Sequence, residues 1–295
     1  MATLLLAIVI AVAVAHVAPD LGRARRFEWL SGWTAFGQRT FGEARFWRGA
    51  GGAALVVGVP FALLLLVQLA LDDAWFGLFE LVLGAAVLFY CWGPRDLDLD
   101  VEAVAGAPDA ERRQAALRSL AASGPPVAPG AGVLVDTVFR EGLRRWFGVL
   151  LWFVLLGPAG ALAYRIVQVL ARDATFAEAL PPGQVAALEK FAQVLDWPAA
   201  HLMTLALAVA ADFDAVASAW RDFHAARDRT RMLDIGFLFA AGRASVDADI
   251  DDGDGYTDDT RAQLAEMQEA MSLTWRILLV WGVVFALFVL AGKIA

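Results

Sequence analysis

The sequence has few cationic residues and a single cysteine, and each shortage limits the interpretation. Its 24 lysine and arginine residues are outnumbered by 32 aspartate and glutamate residues, which gives a formal net charge of −8. A surface that binds nucleic acid needs a basic excess to neutralise phosphates, so we expect no nucleic-acid partner. Cys91 has no second cysteine with which to form an intrachain disulfide, and it therefore carries no information on the redox compartment.

Polar residues are also scarce, and the excess of apolar ones predicts an integral membrane protein. Hydrophobic residues make up 59% of the chain, and its mean hydropathy is +0.58. Average globular chains are only about 45–50% apolar, with glycine included. We therefore expect the lipid bilayer to be a partner of this chain.

Apolar runs of membrane length recur along the chain, which predicts an all-α fold. A helix rises about 1.5 Å per residue, so roughly 20 apolar residues are needed to cross about 30 Å of hydrocarbon. We predict a polytopic membrane protein in which residues 1–295 form a single domain with about five to six membrane helices. The predicted spans cover residues 2–18, 53–71, 75–92, 146–170, 198–212 and 275–292. The predicted cytoplasmic segments cover residues 20–50, 94–145 and 213–274.

Positive charge is absent before the first apolar run, and this decides how the N-terminus is interpreted. A secretory signal peptide carries its positive charge ahead of its apolar core, whereas Arg23, Arg25 and Arg26 follow the run here. By the positive-inside rule we predict an uncleaved helix with its N-terminus outside and the next loop in the cytoplasm. The run at 198–212 is short enough to be re-entrant. We predict that it crosses, because crossing puts the arginines that follow it in the cytoplasm.

An acidic stretch follows the third predicted span. Asp96, Asp98, Asp100 and Glu102 alternate with apolar residues, and in a helix the first and third would share a face, as would the second and fourth. Mg²⁺ binds through one or two carboxylates together with substrate phosphates, so we interpret the stretch as a site for a metal and a phosphorylated ligand. The alternative is a solvated helix start, which the helix dipole favours.

The predicted central span and the helix leading into it carry ionisable groups. Glu141 precedes Arg144 by three residues and Arg145 by four, and these spacings place acid and base side by side on a helix. Such arginines either hold a phosphate or anchor the helix at the cytoplasmic surface. The span itself contains a Gly-Pro break and Arg165. An arginine is costly in an apolar core, so this one either belongs to a site or snorkels to the headgroups.

We predict that these groups converge at the cytoplasmic face if the Gly-Pro break lets the central span fold back toward that side. The predicted ligand-binding residues are Asp96, Asp98, Glu102, Glu141, Arg144, Tyr164, Arg165 and Asp196. Asp96 and Asp98 are the predicted metal ligands, and no residue is assigned a catalytic role.

Five motifs resemble one family of bacterial membrane proteins. They are an aromatic and arginine-rich first loop, GPRDLDLDVE, EGLRRWF running into LLGPAGALAYR, VLDWPAAHLMTLALA and AMSLTWRILLVW. Together they resemble the AmpE family, which lies within the wider CobD/CbiB superfamily of cobinamide-phosphate synthases. The resemblance implies a multi-pass protein of the bacterial inner membrane, and the outside N-terminus predicted from the arginines is then periplasmic.

The two branches of this superfamily imply different functions. AmpE-like proteins are regulatory or sensory proteins linked to peptidoglycan recycling and β-lactamase induction, with a nucleotide or another phosphorylated molecule as the implied ligand. CobD/CbiB-like proteins are membrane amide ligases that use ATP and Mg²⁺, which are therefore the implied cofactors. The chain keeps Glu141 but lacks the Asn and Ser-Asp that follow in the enzymes, lacks their Pro-Asn-Ala-Gly motif, and has His201 where they have arginine. We therefore predict the regulatory function.

Two further questions stay open at this point. A third function is a carrier of a cell-wall-derived molecule, with Glu80, Arg165 and the broken central helix lining its path. The assembly is open between a monomer and a homodimer.

Overall fold

The computed structural model describes residues 2–17, 25–71, 77–93, 96–121, 132–226, 232–249 and 260–292. Within these ranges every regular element is a helix, which confirms the predicted all-α class. The helices are α1 Ala2–Val17, α2 Trp29–Phe41, α3 Ala50–Leu71, α4 Leu78–Cys91, α5 Leu97–Ala105, α6 Ala110–Leu120, α7 Val133–Gly142, α8 Gly148–Arg172, α9 Ala174–Ala179, α10 Pro182–Ala210, α11 Phe213–Ala225, α12 Gly236–Asp249 and α13 Thr260–Leu290. A π-helical turn, Leu143–Phe147, joins α7 to α8.

Three helical stretches of the described chain are long and apolar enough to cross a membrane. They are Ala50–Leu71, Val133–Arg172 and Gln263–Leu290. Thr3–Val14 and Leu78–Cys91 are apolar but shorter, and α10, which contains most of the predicted span at 198–212, is not among the three. Residues 72–74, which join the second and third predicted spans, lie outside the described residues.

The chain forms two compact units, residues 1–94 with 148–195 and residues 95–147 with 196–295. In the first unit α1 packs against α4, and both α3 and α4 pack against α8. Gly84 on α4 permits this approach, because a Cβ there would lie 3.4 Å from both Ala7 and Phe153. Only 6% of the most apolar window of α3 is buried inside the protein. This unit therefore leaves most of a membrane-length apolar helix exposed.

In the second unit α7 packs on both α12 and α13, while α5 packs on α6 and α13. Close approach depends on small residues of α7 and α12. A Cβ on Gly142 would lie 3.1 Å from Thr274 and 3.8 Å from Met203, and a Cβ on Gly242 would lie 2.5 Å from the Phe139 ring. Phe139 is fully buried, so α7 presents a large aromatic side chain to the core at this point.

Candidate functional site

The central apolar segment folds back on itself at Gly157. This residue has φ 69° and ψ −160°, and the chain is helical on both sides of it. A Cβ on Gly148 would lie 2.1 Å from the Tyr164 hydroxyl, and one on Gly160 would lie 2.3 Å from the Trp152 carbonyl oxygen. These pairs are 16 and 8 residues apart, so in a straight helix about 24 and 12 Å of axis would separate them. The two arms of α8 therefore form a tight antiparallel hairpin.

A side chain from α3 supports the hairpin tip. The backbone N–H of Ala159 donates to the Gln68 side-chain oxygen at 3.4 Å, and a Cβ on Gly157 would collide with the same side chain. Buried backbone groups freed by a break in a helix need other hydrogen-bond partners, and the Gln68 side chain provides one here. The Gly-Pro break therefore folds the central segment back, while the side of a membrane toward which it folds stays a prediction. Gly157 divides the predicted span at 146–170 into two helical arms.

Tyr164 and Arg165 lie on the returning arm of the hairpin, in the first unit. Both are buried, with Tyr164 1% and Arg165 7% exposed. A snorkelling arginine would expose its guanidinium to headgroups, so burial favours the alternative that Arg165 belongs to the protein interior. The predicted approach of these two residues to the acidic groups of the second unit stays a prediction.

The second unit contains a buried ion network centred on Arg145. Its Nε donates to Glu141 Oε2 at 2.9 Å, its Nη1 donates to Asp100 Oδ2 at 2.6 Å, and its Nη2 donates to the Leu120 carbonyl oxygen at 2.6 Å. The two carboxylates and the guanidinium are each no more than 2% exposed. Arg145 therefore joins α5, the end of α6 and α7 through bonds to all three of its nitrogens.

Arg144 belongs to the same network but is held differently. Its Nη1 lies 3.9 Å from Glu141 Oε1, and its Nε lies 4.0 Å from Asp196 Oδ2. All three side chains are buried. These separations are longer than a direct hydrogen bond, so Coulomb attraction in a low-dielectric interior is the main interaction in these two pairs. Asp196 brings the second half of α10 into the network.

A π-helical turn contains both arginines of the network. Arg144 and Arg145 lie in the turn Leu143–Phe147, three and four residues after Glu141, and both guanidinium groups lie near that carboxylate. Short π-helical segments inside α-helices are frequent at functional sites. The network therefore combines an unusual backbone with buried charge.

The structure brings together some of the predicted site residues and leaves others apart. Glu141, Arg144 and Asp196 meet in the network. Asp96 and Asp98 lie half-buried at the start of α5, and Glu102 on the same helix is exposed. The assignment of Asp96, Asp98 and Glu102 as ligand-binding residues stays a prediction.

Sequence reasoning missed Asp100 as a site residue although a signal was present. Leu97, Val101 and Val104 form the buried stripe of α5, and Asp100 lies three residues after the first and four before the last. Helix positions with these spacings share a face. An acid within an apolar stripe is a buried acid in need of a cation, and Arg145 provides it.

The ion pairs described above join three carboxylates to two guanidinium groups. Each carboxylate of the network faces an arginine rather than another carboxylate. Among the described residues no group of three or more histidine, cysteine, aspartate and glutamate side chains is arranged to hold a metal. The metal assignment to Asp96 and Asp98 therefore stays a prediction.

Comparison with known proteins identifies no relative of this chain. No protein-family model, no curated protein and no solved structure matches it. The AmpE resemblance accordingly stays a prediction that rests on the motifs alone.

Proposed function

We propose that the chain is a multi-pass protein of the bacterial inner membrane that binds a Mg²⁺-complexed phosphorylated molecule, such as a nucleotide, as a regulatory or sensory protein of the AmpE type. In this proposal it has a periplasmic N-terminus, five to six spans and a link to peptidoglycan recycling and β-lactamase induction. The observation that carries the proposal is the buried ion network around Arg144 and Arg145.

Exposed apolar helices support the membrane location. Leu63, Leu66 and Leu69 on α3 are each at least 60% exposed, and Leu279 and Leu287 on α13 are exposed to a similar degree. Water disfavours such surface at about 25 cal/mol per Å², whereas lipid does not. A helix of 22 residues such as α3 is about 33 Å long, which matches the hydrocarbon thickness.

The two arginines have different roles in this proposal. Arg145 is bonded through three nitrogens to α5, α6 and α7, and we assign it a structural role. Arg144 is the proposed phosphate contact, because it lies beside Glu141 and Asp196, two predicted site residues, and a guanidinium recognises phosphate with several donors.

The two carboxylates beside Arg144 explain why the ligand should bring Mg²⁺ with it. A bare phosphate at Arg144 would lie close to Glu141 and Asp196, and repulsion between like charges would oppose its binding. Mg²⁺ binds one or two carboxylates together with phosphate oxygens and neutralises both. The proposal therefore requires the phosphorylated ligand to bind as its magnesium complex.

The mode of action follows from the same contacts. Because Arg144 and Arg145 are consecutive, a ligand that moves one guanidinium biases the packing of α5, α6 and α7 through the other. A regulatory protein needs a ligand that prefers one of two such arrangements. The ligase of the CobD/CbiB type is the alternative function of the same residues, and turnover of ATP to a phosphorylated product distinguishes it from binding alone.

The test is the thermal stability of the purified protein with and without Mg-ATP. A ligand at 100 times its dissociation constant stabilises the folded state by about 2.7 kcal/mol, which is a readable shift in Tm. We expect the shift in the wild type, its loss in Arg144→Gln and its retention in Arg243→Gln. Arg243 is a matched control, because it pairs with Asp136 at 2.6 Å outside the network. Absence of a shift in the wild type would refute the proposed ligand.

A carrier is the second candidate function, and the hairpin at Gly157 favours it. Broken helices let transporters present backbone groups to a substrate at membrane depth. The hairpin is such a break, with Gly157 and Pro158 buried at its tip and with Arg165 on its returning arm. Uptake of a labelled cell-wall fragment into vesicles containing the protein tests this function, and equal uptake into protein-free vesicles rejects it.

A further inference from the structure

An apolar groove lies between α10 and α13 in the second unit. Its volume is ≈ 230 Å³, and its lining is almost wholly hydrocarbon. The residues that matter below are Leu205, Ala206, Val209, Trp281, Val284 and Phe285. None of the residues that line the groove belongs to the ion network, so a phosphorylated ligand at Arg144 does not explain the groove.

The groove opens onto surface that is itself apolar. Leu205 and Val209 on one wall are 61% and 74% exposed, whereas Trp281 at the base is only 5% exposed. The other wall belongs to the stretch Gln263–Leu290, which is long and apolar enough to cross a membrane. In the proposed membrane location the surroundings of this opening are lipid chains.

Polar residues precede the groove on both helices. His201 comes directly before Leu202 on α10, and Arg276 comes before Val280 on α13. Arg276 is exposed and pairs with Asp249 at 2.8 Å and with Glu269 at 3.3 Å.

We propose that the groove binds one hydrocarbon chain of a membrane phospholipid. A second helix is a poor occupant, because a helix with side chains is about 10–12 Å wide and helices in membranes associate through small residues. Ala206 is the one small residue of this lining. A single acyl chain is thin and adapts its shape to such a cavity. The inference rests on the proposed membrane location but not on the proposed ligand.

The test uses Trp281 as a reporter of the occupant. The protein is placed in phosphatidylcholine vesicles whose acyl chains carry bromine near their middle, since bromine quenches tryptophan fluorescence on contact. The Trp281 signal is the difference between the wild type and Trp281→Phe, which removes the contribution of the other tryptophans. Because Trp281 is 5% exposed, a chain must enter the groove to reach it. We expect most of the Trp281 emission to be lost relative to vesicles without bromine.

Filling the groove provides the matched comparison. Ala206→Phe places a ring in the groove and should restore the Trp281 emission, and Val284→Phe should do the same from the other wall. Val283→Phe adds the same ring to a 59% exposed position outside the lining and should leave the quenching unchanged. An unchanged Tm with Mg-ATP in Ala206→Phe separates this test from that of the ligand.

Two results would overturn the inference. Unquenched Trp281 in the wild type would mean that no lipid chain enters, and a dimer crosslinked through Leu205 under those conditions would identify a second copy as the occupant. Equal quenching in Ala206→Phe, Val284→Phe and Val283→Phe would mean that bromine reaches Trp281 by another route. Either result removes the acyl-chain site and leaves the proposed ligand untouched.

Discussion

Neutralising Asp100 should destabilise the protein far more than neutralising Asp98, two residues earlier on the same helix. Asp100 Oδ2 accepts a 2.6 Å bond from Arg145, and both side chains are no more than 2% exposed. Asp98 is half-buried in the first turn of α5. The substitutions Asp100→Asn and Asp98→Asn are chemically identical, so their difference isolates the effect of the buried ion pair.

The expected size follows from the environment of Arg145. Removing one partner of a buried pair costs about 3–5 kcal/mol, because the other charge stays buried without compensation. Glu141 still bonds to Arg145 in Asp100→Asn, so we expect about 3 kcal/mol, at the low end of that range. Asp98→Asn should change stability by less than about 0.5 kcal/mol, as surface substitutions usually do.

The assay is denaturant or thermal unfolding of each variant in the same detergent. A double-mutant cycle with Arg145→Gln measures the coupling, which should be about 1–3 kcal/mol for residues in direct contact. Equal stability of Asp100→Asn and Asp98→Asn would refute the assignment of Asp100 to the network. A coupling energy near zero would show that the ion pair between Asp100 and Arg145 contributes nothing to stability.

Three further predictions concern the hairpin at Gly157, the core of the second unit and the requirement for Mg²⁺. Gly157→Ala should lose about 1–2 kcal/mol in thermal unfolding because φ is 69° there, whereas Gly58→Ala, with open space around it, should not destabilise α3. Gly242→Ala should cost about 1–3 kcal/mol, because its Cβ would lie 2.5 Å from the buried Phe139 ring, and a smaller loss in Gly242→Ala/Phe139→Leu checks the cause. Removing Mg²⁺ with EDTA should abolish the Tm shift with ATP, and a shift that persists contradicts the magnesium complex.

Local pattern was sufficient to predict the fold class and parts of the site. Apolar runs identified the helices, and the spacing of Glu141 to Arg144 and Arg145 predicted contacts that the structure contains. The Gly-Pro sequence predicted the break, since glycine tolerates φ above zero and proline cannot continue a helix. These features depend on neighbours in sequence, and sequence patterns report such neighbours directly.

Features that depend on packing were beyond the sequence pattern. The register of the hairpin depends on where the Tyr164 side chain packs against the first arm. The need for glycine at Gly148 arises only from this contact between the two arms. The four acids of GPRDLDLDVE alternate regularly, so local pattern does not distinguish Asp100 from the other three. Tertiary packing buries Asp100 alone among them. The π-helical turn at Leu143–Phe147 has no marker in the letters LRRWF.

Equilibrium binding of labelled ATP to the protein in lipid nanodiscs tests the central claim most directly. The account predicts binding at one site that requires Mg²⁺, is lost in Arg144→Gln and is kept in Arg243→Gln. It also predicts that Asp196→Asn lowers the ratio of affinities with and without Mg²⁺, because one of the carboxylates that repel phosphate is neutral. Binding that ignores Mg²⁺, or that survives in Arg144→Gln, would contradict the assignment of the ion network as the ligand site.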